Sequence, residues 1–381
     1  MALRMARLST QHSTKSMRAG VYHAFGGPIA VEDVPRPVAP AGGVVLEVRA
    51  TGVYRSDWHG WKGHDGDVIA HGLPFTPGHE VSGVVVERGA GVELPLGARV
   101  AAPFILSCGC CRECDRGRAT ICERQQQPGF TQPGSFAQYV ALPRANRNLR
   151  VLPDNVSFES AAALGCRYTT AFRAVVQQGR LQAGETLAVF GCGGLGLSAV
   201  MCGVATGARV IAIDPSPAAR ARALELGASA AVDASPTARA RALELGASAA
   251  VDASEGCREA VWAATGYGAD VCVECSGAAK AVEDAVYSAR RGGRVVQAGL
   301  PLGDEKPEVP MARVAGWELE IFGSHGLASH DLPAILDLVS DGRLRPEATV
   351  ERRVTLHEGC DAIMKMDHAS PLGVTMVMDF A

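Results

Sequence analysis

The chain lacks both the long apolar run of a membrane protein and the basic runs of a nucleic-acid-binding protein. No stretch approaches the roughly 18 consecutive apolar residues that predict a membrane-spanning helix. Lysine and arginine are not grouped, and the formal net charge is −3, so nothing indicates nucleic acid or an anionic membrane surface as a partner. With 47% hydrophobic and 20% charged residues among 381, the chain is not disordered by composition, and its length predicts two domains.

Acidic residues are missing from the start of the chain, where the first one is Glu32. Residues 1–16 are instead basic and rich in hydroxyl groups. Such a segment resembles a short organelle transit peptide, although a start codon upstream of the folded protein gives the same pattern. It has no apolar run of the secretory type. We expect residues 1–16 to be an extension outside the fold, which begins near Met17.

Twelve cysteines are present, and five of them lie between residues 108 and 122. Cysteines so close together cannot link distant elements, and without a secretory signal they indicate metal binding in a reducing cytoplasm. Four of them have the spacing C-x2-C-x2-C-x7-C, which lets one loop surround a zinc ion tetrahedrally. The predicted ligands of this closed, structural zinc site are Cys108, Cys111, Cys114 and Cys122. Cys110 is out of register, and the alternative is a chance group of free thiols.

Two patterns divide the chain. From Met17 to about Pro153, short strand candidates broken by glycine and proline predict a β-rich domain. From about Ser157, apolar strands alternate with alanine-rich helices, which predicts βαβ units and a doubly wound parallel sheet. After Gly342 the strand pattern returns, as if the tail rejoined the first domain. The strand candidates are 44–50, 81–87, 136–142, 187–190, 210–213, 271–274, 294–298 and 319–323.

An internal repeat lies in the second region. Residues 216–235 match 235–254 at a shift of nineteen positions, and only Ala218 and Thr237 differ. Each unit is a predicted helix followed by a short strand. Two copies do not make a repeat architecture, which needs about three. We interpret the repeat as a recent tandem duplication or a sequence error, with an effect confined to one edge of the sheet.

The segment G-C-G-G-L-G at 191–196 follows a strand candidate and opens a helix candidate. In that setting the glycines allow a tight turn, and the helix N-terminus binds a pyrophosphate, so a Rossmann domain is predicted. The predicted cofactor contacts of this turn are Gly191, Gly193, Gly194, Leu195 and Gly196. Asp214 ends the next strand, where a carboxylate binds the ribose 2′-hydroxyl and favours NAD over NADP. Alternatively, Asp214 only caps a helix.

Three further motifs are scattered along the chain: R-S-D-W-H at 55–59, P-G-H-E at 77–80 and G-C-R-Y-T-T at 165–170. In order with the four-cysteine loop and the glycine turn, they resemble the zinc-containing alcohol dehydrogenases of the medium-chain dehydrogenase/reductase family. The resemblance implies a GroES-like catalytic domain of residues 17–160, completed by 325–381. It also implies a Rossmann domain of residues 161–324, with the active site in the cleft between the two.

The resemblance implies a catalytic zinc, with one departure. His79 and Cys166 match metal ligands, Glu80 matches a carboxylate beside the metal, and Asp57 matches the residue that orients the histidine. Tyr54 stands where the family has a cysteine ligand, although a catalytic zinc normally has three protein ligands. In one alternative the metal is kept, with His79, Cys166 and Glu80 as its three ligands. In another it is lost, and Tyr54 donates a hydrogen bond in a metal-free quinone or enone reductase. In the third alternative, activity is absent and only a nucleotide-binding homologue remains.

For the reaction, the resemblance implies hydride transfer between an alcohol and NAD, which gives an aldehyde or ketone. Ser56 and His59 match the relay for the alcohol proton, Arg55 matches a residue that meets the pyrophosphate, and Thr170 matches a cofactor contact. The implied partners are a small alcohol or aldehyde and further copies of the chain, as a homodimer or homotetramer.

Other polar and aromatic residues have less specific interpretations. Trp58 and Trp61 either line a substrate pocket or pack in the interior. His325 and His330 either approach the cofactor or lie on the surface. Three further cysteines are predicted to behave as small core hydrophobes: Cys192, Cys202 and Cys272.

Overall fold

The computed structural model describes residues 15–233, 256–301, 306–367 and 373–381. Within these ranges no helix is long and apolar enough to cross a membrane. The first strand begins at Ser16. Almost all of the expected extension, and the second copy of the repeat, therefore lie outside the described residues.

A six-stranded, wholly parallel sheet forms one half of the structure. Its strands are β8 (Thr186–Phe190), β9 (Arg209–Asp214), β10 (Ala230–Asp233), β11 (Ala269–Glu274), β12 (Ala289–Gln297) and β13 (Glu320–Gly323). They run in the order β10-β9-β8-β11-β12-β13, which is the doubly wound order of a Rossmann sheet. The central strands β8 and β11 are buried along their whole length, because helices cover both faces of a parallel sheet.

A seven-stranded mixed sheet forms the other half. Its strands are β3 (Val44–Val53), β4 (Val81–Arg88), β5 (Arg99–Ala102), β6 (Tyr139–Leu142), β7 (Arg150–Val151), β14 (Val350–Thr355) and β15 (Val374–Asp379). Strand β15 pairs antiparallel with β3, so the end of the chain completes the first domain. A separate hairpin is made by β1 (Ser16–Tyr22) and β2 (Ile29–Pro35).

The helices fall into the same two regions. They are α1 (Arg55–Trp61), α2 (Gly66–His71), α3 (Arg112–Asp115), α4 (Ala145–Asn148), α5 (Phe158–Ala163), α6 (Thr169–Phe172), α7 (Gly194–Thr206), α8 (Pro217–Glu225), α9 (Cys257–Thr265), α10 (Ala279–Ser288), α11 (Met311–Trp317), α12 (Leu332–Ser340) and α13 (Leu356–Lys365). Short 3-10 turns lie at Ala119–Ile121, Ser329–Asp331 and Pro346–Thr349. The longest helix of the described ranges, α7, buries nine residues and ends at Gly207, whose φ of +81° suits a glycine C-cap.

The segment that joins the two sheets is helical but irregular. Between α5 and α6 lies a π-helical turn, Leu164–Tyr168, and a second one, Arg173–Gln178, follows α6. π-Helical turns are rare in proteins, and many of those that occur lie at functional sites. The first of them carries Cys166 and Arg167, so it places both residues against the first domain.

The strand predictions agree with the structure except at two places. The candidate 136–142 begins as a strand only at Tyr139, because Ala137 forms an isolated bridge to Ala19 instead. Strand β12 begins at Ala289, five residues before its candidate, where arginines and glycines give no apolar pattern. The predicted boundaries at 160/161 and 324/325 stay predictions.

The first copy of the repeat forms α8 and β10. Strand β10 is an outer strand of the parallel sheet, as expected for the third strand of this order. Ser216 is the N-cap of α8 and accepts from the backbone N–H of Ala219.

Candidate active site

A cavity of about 580 Å³ lies between the two sheets. The carboxyl ends of the parallel strands open into it, which is where open α/β sheets bind ligands. The sequence-predicted residues that line it are Tyr54, Arg55, Ser56, His59, Cys166, Thr170, Gly191, Gly193, Gly194, Leu195 and Asp214. The remaining predicted residues of this site (Asp57, His79, Glu80 and Gly196) are buried behind its wall.

The glycine turn is shaped to hold a pyrophosphate. Gly191 has a φ of +86°, which suits only glycine. A Cβ on Gly196 would lie 1.7 Å from the carbonyl oxygen of Gly191, so the turn and α7 pack without room for a side chain. A Cβ on Gly193 would meet nothing within 4 Å, because that residue faces the open cavity at the start of α7. The turn therefore leaves free N–H groups and space where a phosphate binds.

Asp214 lies at the end of β9, beside this turn. Its Oδ2 accepts from the backbone N–H of Cys192 at 2.7 Å, and its Oδ1 accepts from that of Ser216 at 2.7 Å. The carboxylate thus fixes the glycine turn while it lines the cavity. This position suits a ribose hydroxyl and disfavours a 2′-phosphate. The helix that follows is capped by Ser216, not by Asp214.

Asp57 holds His79 in one orientation. Both side chains are fully buried, and Asp57 Oδ1 lies 2.8 Å from His79 Nδ1. The other oxygen of Asp57 accepts from the backbone N–H of Tyr54 at 3.0 Å. Although burial lowers the pKa of His79, the neighbouring carboxylate outweighs it and raises the pKa. His79 Nε2 is buried without a hydrogen-bond partner and faces the Cys166 thiol.

Glu80 faces an arginine rather than the predicted metal position. Arg167 donates from Nε to Oε1 at 3.1 Å and from Nη2 to Oε2 at 2.7 Å, and both side chains are almost completely buried. The backbone N–H groups of Cys166 and Arg167 also donate to Oε1, at 3.0 and 3.2 Å. Burial lowers the pKa of Arg167, but the carboxylate outweighs it and raises the pKa. The carboxylate is therefore fully engaged.

Tyr54 occupies the corner where the family has a cysteine. Its ring lies under the Arg167 guanidinium, 4.3 Å from centroid to Cζ, and 6.0 Å from the His79 ring. Burial, and then the neighbouring Cys166, raise the pKa of the hydroxyl far above its ordinary value, so it is a hydrogen-bond donor at neutral pH. Tyr54 is one of the residues that line the cavity.

These positions do not fit a catalytic zinc of the usual kind. His79 Nε2 and the Cys166 thiol are suitable donors and face each other. A catalytic zinc needs three protein ligands, however, and tyrosine is not among the usual ones. Among the described residues, the Asp57 and Glu80 carboxylates are committed elsewhere, and no cluster of three metal-binding side chains forms here.

Ser56 and His59, the predicted relay, both line the cavity on α1. His59 Nδ1 lies 3.2 Å from Nδ1 of His64, which is exposed at the surface. Burial lowers the pKa of His59 to about 4, with further lowering from Arg55 and His64. His59 is therefore neutral at neutral pH, and an unprotonated ring nitrogen can accept a hydrogen bond.

Arg55 and Thr170 also line the cavity. The Arg55 guanidinium stacks on Trp58 at 3.6 Å and donates to the carbonyl of Met366 at 2.6 Å. Thr170 accepts from the backbone N–H of Gly326. Trp58 and Trp61 are buried and do not line the cavity, so packing is their role.

The four-cysteine loop has the geometry of a metal site. The sulfur atoms of Cys108, Cys111, Cys114 and Cys122 all lie within 4.8 Å of one another. Burial raises the pKa of Cys122 to about 12, whereas hydrogen bonds from Cys110 and the other thiols outweigh burial and lower that of Cys108 to about 6. Cys110 is exposed beside Arg124 and outside the cluster. This donor set fits a structural zinc.

Sequence reasoning missed several residues of the site. Cys275, Gly277 and Gly299 line the cavity because they follow β11 and β12, and the rule for strand ends could have found them. Arg167 carries no motif signal of its own. Of the two uncertain histidines, His325 lines the cavity and His330 is exposed away from it. The three cysteines predicted for the core are buried: Cys192, Cys202 and Cys272.

Known proteins share both halves of this architecture. Residues 40–154 match the family described as an alcohol dehydrogenase GroES-like domain, and residues 230–341 match the family described as a zinc-binding dehydrogenase. An alcohol dehydrogenase of Geobacillus stearothermophilus is 33% identical over 353 residues, which cover 92% of this chain and 96% of the relative.

Solved structures agree with these matches. A structure named an NAD-dependent alcohol dehydrogenase is 30% identical, with a TM-score of 0.81 and coverage of 95% of this chain and 99% of that one. A zinc-binding dehydrogenase from Sinorhizobium meliloti 1021, bound to NADP, is 28% identical with a TM-score of 0.81, and the match covers 96% of this chain and 99% of that one. With the doubly wound sheet, the glycine turn and the four-cysteine loop in place, the chain belongs to the zinc-binding alcohol dehydrogenases of the medium-chain dehydrogenase/reductase family, which are oxidoreductases.

Proposed function

We propose that this oxidoreductase transfers a hydride between NAD(H) and a small alcohol–carbonyl pair in the cleft between its two domains. One observation carries the proposal: the glycine turn with Asp214 and the polar pair Ser56 and His59 line the same cavity. The turn binds a dinucleotide, and the polar pair can manage the proton of a hydroxyl group. Family membership supports the reaction class.

In the oxidising direction, an alcohol loses two electrons and one hydrogen as hydride from its carbinol carbon, and a proton from its oxygen. Bound NAD⁺ supplies the hydride acceptor. The α7 N-terminus and the glycine turn bind the pyrophosphate, and Asp214 binds the ribose. Ser56 accepts the hydroxyl hydrogen bond, and His59, neutral at neutral pH, takes the proton on towards exposed His64. In the reducing direction the same groups return the proton.

We also propose zinc as the ligand of the four-cysteine loop, where all four coordination positions would be filled by Cys108, Cys111, Cys114 and Cys122. A closed site of this kind stabilises the lobe and leaves no position for substrate. Free thiolates and a zinc site both require reducing conditions, which supports a cytoplasmic location. We further propose that the chain forms dimers or tetramers through the edges of its parallel sheets. The exposed apolar side chain of Ile321, on the outer strand β13, supports this arrangement.

The proposal is tested with the purified full chain and a panel of small alcohols, aldehydes and ketones. We expect substrate-dependent interconversion of NAD⁺ and NADH, with NAD(H) preferred over NADP(H). Asp214→Ala should reduce that preference by at least roughly tenfold, since the repulsion of a 2′-phosphate is removed. Glu225→Gln, a change of an exposed carboxylate on α8, is the matched control and should keep the preference. Better use of NADP(H) by the unaltered chain would contradict the role of Asp214, and the absence of any turnover would contradict the function.

A further inference from the structure

The cleft offers two zinc ligands, His79 and Cys166, where a catalytic zinc site needs three. The third ligand is missing because residue 54 is a tyrosine. His79 Nε2 is buried, unpaired and turned towards Cys166. Tyr54 fills the third corner with an aromatic ring. The nearest carboxylates are Asp57, whose two oxygens hold His79 and the backbone of Tyr54, and Glu80.

Glu80 cannot replace the missing ligand without breaking a buried ion pair. It accepts four hydrogen bonds, two from the Arg167 side chain and two from backbone N–H groups. Its Oε2 also packs directly on Gly52, where even a Cβ would come within 2.2 Å. Rotation towards a metal would leave the buried guanidinium of Arg167 unpaired, which is strongly unfavourable.

Arg167 also places a positive charge next to the place of a metal. The guanidinium donates to the Val53 carbonyl at 3.1 Å and stacks on the Tyr54 ring. A permanent cation beside Cys166 repels a divalent one, and stacking holds the Tyr54 ring at the wall of the cavity. Arg167 is thus held by Glu80, and Tyr54 is held by Arg167.

We propose that this cleft holds no catalytic metal, and that the Tyr54 hydroxyl donates a hydrogen bond to the substrate oxygen in its place. The inference rests on the proposed hydride transfer and narrows its substrate class. Without a metal, only hydrogen bonds polarise the substrate carbonyl, so the substrate itself has to be reactive. Suitable substrates are carbonyls that accept hydride readily, namely aldehydes and conjugated enones or quinones. Arg167 is a positioning residue, and Tyr54 is a catalytic one.

The first test is the metal content of the purified full chain. We expect about one zinc ion per chain, held by the four-cysteine loop. Tyr54→Cys creates a set of two thiolates and one imidazole, so it should raise the content to about two. Tyr54→Phe should stay at about one. Tyr267→Cys, which places a new thiol on an exposed surface, is the matched control and should also stay at about one.

Two outcomes would overturn the inference. A content of about two zinc ions in the unaltered chain would show that the cleft binds metal despite Tyr54. A Tyr54→Cys protein that binds NADH normally yet still holds about one zinc would show that residue 54 does not determine whether the cleft binds a metal. Cobalt substitution gives a second measurement, because a cleft-bound cobalt ion would add absorption bands that shift when a substrate carbonyl is added.

The role of the hydroxyl is tested by kinetics with NADH and an aldehyde panel. Loss of one donor to the substrate oxygen should lower kcat of Tyr54→Phe by on the order of 100-fold, with unchanged NADH binding. Arg167→Lys should keep more of kcat than Arg167→Leu, since a retained charge still pairs with Glu80. Equal kcat for Tyr54→Phe and the unaltered chain would overturn the catalytic role. If no protein turns over any substrate, the proposed function fails, and the zinc content still decides the metal question.

Discussion

At the scale of single residues, one substitution changes the chemistry that the site can support. Tyr54 removes a thiolate and adds a ring, and Arg167 then lies on that ring and pairs with Glu80. The pair is buried, so its charges are worth much more to one another than they would be in water. The site therefore depends on contacts among three residues that are far apart in the sequence.

Breaking the buried ion pair should destabilise the fold. We expect Arg167→Leu to lower the free energy of unfolding by about 3–5 kcal/mol, because the carboxylate of Glu80 loses its partner while it remains buried. The loss of stability in the double variant Arg167→Leu with Glu80→Leu should be smaller than the sum of the losses in the two single variants. Urea unfolding followed by fluorescence measures both. Simple additivity would show that the two side chains do not interact.

The pKa of His59 predicts a pH dependence of stability. Its folded-state pKa, about 4, is lower than the ordinary value of about 6.5, so between these values the unfolded chain binds more protons. Stability should therefore fall as the pH is lowered through this window. His59→Gln removes this dependence, and the difference in thermal midpoint between pH 7 and pH 5 should be smaller in the variant. An equal or larger difference would show that His59 is not shifted.

At the scale of elements, the glycine turn contains one glycine that folding requires and another that cofactor binding requires. Gly196 has no space for a Cβ beside Gly191, whereas Gly193 has open space and an ordinary backbone conformation. The two glycines of one motif are thus required for different reasons. One allows α7 to pack on the strand before it, and the other leaves room for the cofactor.

Alanine at these two positions should have different effects. Gly196→Ala should lower the thermal midpoint and abolish NADH binding, because the turn must open. Gly193→Ala should fold with an unchanged midpoint yet bind NADH at least roughly tenfold more weakly, since its methyl group meets the pyrophosphate. Fluorescence titration with NADH and thermal unfolding distinguish the two. Normal NADH binding by Gly193→Ala would show that the pyrophosphate does not lie against Gly193.

The four-cysteine loop is an element that depends on its metal. Prolonged chelation, or Cys114→Ser, should release about one zinc ion per chain and make residues 104–124 sensitive to protease, because a small lobe folds around its metal. Cys110→Ser is the matched control, since Cys110 is exposed and outside the cluster. Protease resistance after complete zinc removal would show that the lobe is stable by itself.

At the scale of the whole molecule, the sequence predicts the architecture better than it predicts the site. Buried parallel strands such as β8 and β11 contain apolar runs, at 187–190 and 271–273, so their pattern is visible in the chain. The glycine turn marks the cofactor edge of the sheet. The Glu80–Arg167 pair joins residues 87 positions apart in the sequence. Nothing local indicates it, since it forms only when the π-helical turn at Leu164–Tyr168 packs against the first domain.

The duplicated unit gives a prediction at the same scale. The first copy already supplies α8 and the outer strand β10, so the sheet has all six strands of its order within the described residues. Deletion of residues 235–253 should therefore leave NADH affinity unchanged and alter the thermal midpoint little. A large loss of stability would show that the second copy is required by the fold.

The central claim is hydride transfer within the cleft, and deuterium labelling tests it most directly. NADH carrying deuterium at C4 of the nicotinamide is incubated with the enzyme and an aldehyde, and the product alcohol is analysed by mass spectrometry. The account predicts one deuterium on the carbinol carbon, from one face of the nicotinamide only. An alcohol product without deuterium, or a chain that binds NADH but reduces no carbonyl, would contradict it.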